Sequence, residues 1–174
     1  MKVVLVGYMG SGKTTTGLIL AERLGIPFLD LDHFISEKQG MSIPDLFKNK
    51  GEVFFRKAER EALFHIGHSE DSFVLSTGGG TPCFGDNMEN MKAFPNTLVV
   101  YLKLSIPELV TRLEGEMDQR PLLAGLDKAL LPEFLGKHLF ERAPHYEQAH
   151  LVVPALGQSP NEISQKIQSN LKSL

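Results

Sequence analysis

Residues 7–17 read GYMGSGKTTTG and follow directly on the apolar run KVVLV at 2–6. The stretch Gly7-Tyr8-Met9-Gly10-Ser11-Gly12-Lys13-Thr14 matches G-x-x-x-x-G-K-[ST]. A buried strand is expected before it, and after it a helix over 13–24 with Ile19, Leu20 and Leu24 on one face. Glycines let such a loop curl so that successive N–H groups point inward, and the helix N-terminus adds its partial positive charge. In this setting Lys13 can reach the β- and γ-phosphates, and the Thr14 hydroxyl can coordinate Mg²⁺. The loop is read as the holder of a nucleoside triphosphate.

Working outward, short β-branched runs alternate with helical patterns. Strands are expected at 2–7, 27–32, 72–77, 97–104 and 150–154. Helices are expected at 13–24, 52–66, 84–92, 105–114, 127–148 and 160–173, with a short extra one starting at the Ser42 cap. Such alternation implies α/β architecture, a five-stranded parallel sheet between helical layers with ligands at the carboxyl ends of the strands. The stretch 115–125, GEMDQRPLLAG, breaks the pattern: glycines at both ends and no period suit a mobile lid.

The 174 residues are enough for one domain over 1–174 and too few for two of ordinary size. Net charge is −3, which gives no basic footprint for nucleic acid. The single cysteine, Cys83, excludes an intramolecular disulfide and a multi-cysteine zinc site. No apolar run reaches membrane-spanning length, and MKVVLVG does not read as a secretory signal. A cytoplasmic monomer is the expectation, with no nucleic-acid or membrane partner.

The kind of nucleotide user follows from the other polar residues. No guanine-reading N-K-x-D follows a later strand, and neither SFVLST nor TLVVYLKL ends in the acid expected of motor-type ATPases. The acids close the second strand instead, as Asp30 and Asp32. Strand alternation would put both on one face, about 7 Å apart. One could face a metal and its waters, the other an acceptor hydroxyl; a capping role for Asp32 is the plainer alternative. Arg56 lies in the aromatic helix GEVFFRKAERE, where an ordinary ion pair with Glu52 or Glu59 competes with a kept anion site. The triplet Gly78-Gly79-Gly80 at a strand end suits close approach of main-chain N–H groups to a ligand. Arg142, in FERAPHYEQAH, could join Arg56 on one carboxylate, with Pro144 expected to kink or divide its helix. Arg120, in RPLL, is placed to close over the phosphates.

Taken in order, GYMGSGKTTTG, DLDHFI, GEVFFRKAE, STGGGTP, RPLLAG and ERAPHYEQA resemble shikimate kinases nearly end to end. The resemblance implies a P-loop NTPase of the nucleoside-monophosphate-kinase type that transfers the ATP γ-phosphoryl to the 3-hydroxyl of shikimate, on the route to chorismate and aromatic amino acids. It implies ATP-phosphate binding by Gly10, Ser11, Gly12, Lys13, Thr14 and Thr15, with Arg120 from the lid. Thr14 would hold Mg²⁺ directly and Asp30 through water. Asp32 would bind substrate hydroxyls and accept the proton, with Lys13 and Arg120 also catalytic. Arg56, Gly79 and Arg142 would hold the substrate. Ser36 and Thr81 depart from the family, where glutamate and alanine are common. The rivals are a gluconate or nucleoside monophosphate kinase of similar architecture, and a non-catalytic ATP-binding regulator. No adenine-contacting residue can be placed, although PALGQSP is the candidate segment.

Overall fold

The structure is a computed structural model that describes residues 1–120 and 122–171. Its five strands are β1 (Lys2–Val6), β2 (Phe28–Asp30), β3 (Phe73–Ser76), β4 (Thr97–Lys103) and β5 (Leu151–Pro154). They form one parallel sheet in the order β2-β3-β1-β4-β5. The most apolar runs take the centre: Val3 to Val6 of β1 and Leu98 to Leu102 of β4 are buried, as strands covered on both faces require.

The helices are α1 (Lys13–Leu24), α2 (Leu31–Gln39), α3 (Ile43–Gly67), α4 (Asn87–Ala93), α5 (Ile106–Leu113), α6 (Leu131–Tyr146) and α7 (Pro160–Leu171). Side chains of β1 alternate between the two faces. Leu5 meets α1, where a Cβ on Gly17 would lie 3.1 Å from its methyl. Lys2, on the opposite face, donates its ammonium to the Gly67 carbonyl at the end of α3 (2.7 Å). Helices therefore cover both sides of the sheet.

Helix α3 contains the two helices that the sequence indicates, divided by Gly51 with φ 80° and ψ 170°. Ser42 caps its start, accepting from Asp45 N–H (3.3 Å). The region expected as one helix over 127–148 is a 3₁₀ turn at Lys128–Leu130 followed by α6. Pro144 neither divides nor ends α6, because it sits in the last turn, two residues before the helix stops. The last two residues of the helix expected over 160–173 lie outside the described residues.

Register sets the site. Ser76 of β3 is level with Leu5 of β1 on one side and Asp30 of β2 on the other, and Val6 is level with Tyr101 of β4. The phosphate loop, the aspartates and the glycine triplet therefore leave the sheet at one height, beside the strand where the connections change direction.

Candidate active site

In the phosphate loop the glycines at 7, 10 and 12 have φ of 143°, 76° and 90°, values that side chains disfavour. A Cβ on Gly7 would also lie 2.9 Å from the Leu102 carbonyl oxygen. Gly12 caps α1 without any side-chain acceptor, and Thr16 N–H closes the first turn onto the Gly12 carbonyl (2.9 Å). The N–H groups of Lys13, Thr14 and Thr15 stand ahead of that closure, where a helix has no acceptor of its own to offer. Thr14 and Thr15 are exposed. Ser11 is buried, its hydroxyl unpartnered and its N–H turned to the Tyr8 carbonyl (3.2 Å).

The Lys13 ammonium is buried and donates to the carbonyls of Gly7 (2.8 Å) and Tyr8 (3.0 Å). Burial lowers its pKa to about 8, with Arg120 adding to the fall and Asp32 and Asp30 opposing it. The loop thus stores its cation against its own backbone, next to where an anion would lie.

The second strand is shorter than its sequence suggests. It ends at Asp30, whose Oδ1 accepts from the N–H groups of Asp32 (3.1 Å) and His33 (3.2 Å) and so starts α2. The expectation that Asp30 and Asp32 alternate along one strand is corrected: Asp30 is the helix cap and Asp32 lies in the first turn. A cap two residues earlier wins because it satisfies two otherwise open N–H groups at once. Asp32 still reaches the site. Burial raises its pKa to about 6, with the carboxylates of Asp30 and Glu59 adding to the rise and Lys13 and Arg56 opposing it. At neutral pH it is an ionised base stronger than an ordinary carboxylate.

Asp32, Arg56, Gly79, Arg120 and Arg142 line one cavity of about 800 Å³, with Met9 of the phosphate loop in its wall and Phe47 and Phe55 as apolar lining. Arg56 makes the ion pairs foreseen for it and is part-buried at the cavity wall. Its Nη1 donates to Glu59 Oε2 (2.9 Å), Glu52 Oε1 lies 3.5 Å from Nε, and the Phe84 ring centroid is 4.2 Å from the guanidinium. Glu59 is only 1% exposed, and its other oxygen accepts from the Thr81 hydroxyl (2.6 Å). The glycine triplet makes room for this packing: a Cβ on Gly80 would stand 2.8 Å from Arg56 Nη2. Gly79 packs on the phosphate loop, and its carbonyl accepts from the Tyr146 hydroxyl (2.6 Å).

Glu59 carries a sequence signal beyond the ordinary ion pair expected of it. Phe55, Ala58, Ala62, Leu63 and Ile66 form an apolar helical stripe, and Glu59 lies inside it. Arg112 had no such signal. From α5 its Nη1 donates to the Gly10 carbonyl (3.3 Å), which places a further cation against the phosphate loop.

In the expected lid, Met117 and Leu123 are buried, and Arg120 donates to Glu116 through Nε (3.1 Å) and Nη2. Pro121 lies outside the described residues. The segment PALGQSP leads from the end of β5 into α7, with Gln158 donating to the Pro154 carbonyl (2.8 Å).

Among the described residues no cluster of three or more His, Cys, Asp or Glu side chains could hold a metal alone. Thr14 is exposed, and the Asp32 and Asp30 carboxylates act on its neighbour Lys13; such a donor set suits Mg²⁺, which keeps waters and leans on substrate phosphates.

The sequence model of the family described as Shikimate kinase matches residues 9–172. The chain belongs to the shikimate kinase family. A curated shikimate kinase from Flavobacterium psychrophilum is 42% identical over 166 residues, 95% of this chain and 96% of the relative. A solved structure of shikimate kinase from Acinetobacter baumannii in complex with shikimate superposes with a TM-score of 0.88 at 36% identity, covering 99% of this chain and 93% of that one. The gluconate rival fares differently: a gluconokinase from Sinorhizobium meliloti is 21% identical at a TM-score of 0.60 over 99% and 91%, a likeness of fold alone. Within the shikimate kinase frame the two departures both have local partners. Thr81 secures Glu59, and Ser36 donates to the Asp32 carbonyl (2.9 Å).

Proposed function

We propose that this chain transfers the γ-phosphoryl group of ATP to the 3-hydroxyl of shikimate, giving shikimate 3-phosphate and ADP in the synthesis of aromatic amino acids. The observation that carries this reading is one cavity, beside a phosphate loop, that holds a raised-pKa carboxylate and, besides Arg120, the two guanidinium groups of Arg56 and Arg142 in a shikimate kinase chain. A carboxylate-bearing polyol meets all three demands at once.

Arg56 and Arg142 grip the substrate carboxylate, Arg56 through the donors that Glu59 leaves open. Asp32 orients the acceptor hydroxyl and takes its proton as the oxygen attacks phosphorus. Lys13 exchanges the Gly7 and Tyr8 carbonyls for the phosphates, which offsets the burial that depresses its pKa. Thr14 directly, and Asp30 through water, would hold Mg²⁺, which would supply charge neutralisation on the triphosphate. The lid over 115–125 closes as Arg120 leaves Glu116 for the phosphates, excluding water that would otherwise hydrolyse ATP.

Release of ADP from Mg·ATP tests the reading, with shikimate, gluconate, AMP or no acceptor added. Stimulation by shikimate alone, with shikimate 3-phosphate as product, is expected; stimulation by another acceptor alone would reassign the cavity. Arg120→Ala should lower turnover about 10- to 100-fold, since removal of a single transition-state donor commonly costs that much or more. Unchanged turnover would remove Arg120 from the phosphates.

The Asp32 pKa also sets a pH profile. With Mg·ATP saturating, kcat/KM for shikimate should be level near pH 7 and fall as pH drops through about 6, because the protonated carboxyl can no longer accept. A level profile down to pH 5 would exclude Asp32 as the base.

A further inference from the structure

Helix α6 carries His138, Arg142 and Tyr146 at four-residue spacing, so all three lie along one side of the helix. The outer two are anchors to different loops. His138 Nδ1 is 2.6 Å from the hydroxyl of Tyr8, the second residue of the phosphate loop, and the two rings meet edge to face at 5.5 Å. Tyr146 donates its hydroxyl to the Gly79 carbonyl (2.6 Å). Between them Arg142 reaches the cavity.

Tyr8 is 2% exposed and does not line the cavity, although its neighbour Met9 does. The same residue is tied to the loop's cation, because its carbonyl accepts from Lys13 (3.0 Å). Burial pushes the Tyr8 phenol up to about 12 and lowers the His138 pKa, with Arg142 adding to that fall. Both groups are therefore neutral at pH 7 and can share one proton donor and one acceptor. Nothing in the reaction requires this hydroxyl, yet it is buried and paired across the molecule.

We propose that the Tyr8–His138 hydrogen bond is a positioning contact for substrate binding: it pins α6 to the phosphate loop and so holds Arg142 at the distance from the phosphates that the substrate carboxylate needs. Tyr8 then governs affinity for the acidic substrate without touching it. With α6 tied at its middle by His138 and at its last residue by Tyr146, Arg142 sits between two fixed points, whereas release at His138 leaves it without the tie to the phosphate loop. The inference rests on Arg142 as a carboxylate ligand.

Steady-state kinetics of Tyr8→Phe, Arg142→Ala and the double variant test it. Tyr8→Phe keeps the ring and removes the hydroxyl, so the shikimate KM should rise about 3- to 10-fold, the scale of one buried hydrogen bond. The ATP KM and kcat should move much less than the shikimate KM, because the Gly7 and Tyr8 carbonyls that hold Lys13 are untouched by the change. In the Arg142→Ala background the same Tyr8 change should have no further effect on the shikimate KM, since the two act through one contact. His138→Leu should reproduce Tyr8→Phe, and His138→Asn, which offers a donor and an acceptor near the Nδ1 position, should restore most of the affinity. An unchanged shikimate KM in Tyr8→Phe while Arg142→Ala raises it overturns the positioning role alone. An equal rise with and without Arg142 overturns it too. An unchanged KM in Arg142→Ala overturns the carboxylate assignment and this inference with it.

Discussion

Asp32→Asn should lower turnover by about 10²- to 10⁴-fold, the range a positioned general base contributes. The substitution keeps size and shape and removes the proton acceptor. ATP binding should persist, because the phosphate loop and Lys13 are left in place. The same change should raise the stability of the free protein. A carboxyl with a pKa near 6 when folded, against an ordinary value of 3.8, is one whose ionised form the fold disfavours. Folded and unfolded chains hold the proton alike below about pH 4, so no penalty exists there. Between pH 4 and 6 the folded state retains a proton that the unfolded state loses, and the penalty grows. Above pH 6 it is complete, at about 1–3 kcal/mol. The asparagine variant should therefore melt higher at pH 7, with the gain fading as pH falls toward 4. Thermal melts at both pH values, together with single-turnover assays, check the two halves. Full activity would refute the base assignment, and a lower melting temperature at pH 7 would refute the strained carboxylate.

Arg56→Ala should raise the shikimate KM by about 10- to 150-fold, since a charged hydrogen bond to a carboxylate contributes about 1.5–3 kcal/mol. It should also destabilise the protein, because Glu59 is 1% exposed and would keep only Thr81 as a partner. Removing one member of a buried pair costs about 3–5 kcal/mol. For a chain of this size that lowers the melting temperature by about 6–15 °C. Adding Glu59→Gln should recover much of the stability, since no charge is then stranded, and none of the substrate affinity. Binding and melting are thus separable in one pair of variants. An unchanged KM in Arg56→Ala would take Arg56 out of the carboxylate site; an unchanged melting temperature would mean that Glu59 finds other compensation.

The nucleotide end of the molecule was legible because its chemistry is local. In GYMGSGKTTTG the glycine spacing, the lysine and the helix start occupy consecutive residues, and curling them together needs no distant partner. The five strands were legible for a similar reason, since runs such as KVVLV and TLVVYLKL announce burial on both faces. Arg56, Arg120 and Arg142 could be named as candidates from their settings, and they do line one cavity.

What the sequence determined by itself was therefore the α/β alternation, the phosphate loop and a set of candidate residues for the chemistry. Only the tertiary structure decided their arrangement. It made Asp30 the cap of α2 and left Asp32 for the cavity, a choice that turns on two N–H groups needing an acceptor at the end of β2. Packing also buried Glu59 between Arg56 and Thr81, which a helical stripe hints at but cannot locate. Tyr8 and His138 stand 130 residues apart, so no local pattern could join them. The physical reason is common to all three. Propensity and periodicity act over a few residues, whereas burial and the pairing of polar groups depend on which surfaces the folded sheet and helices bring together.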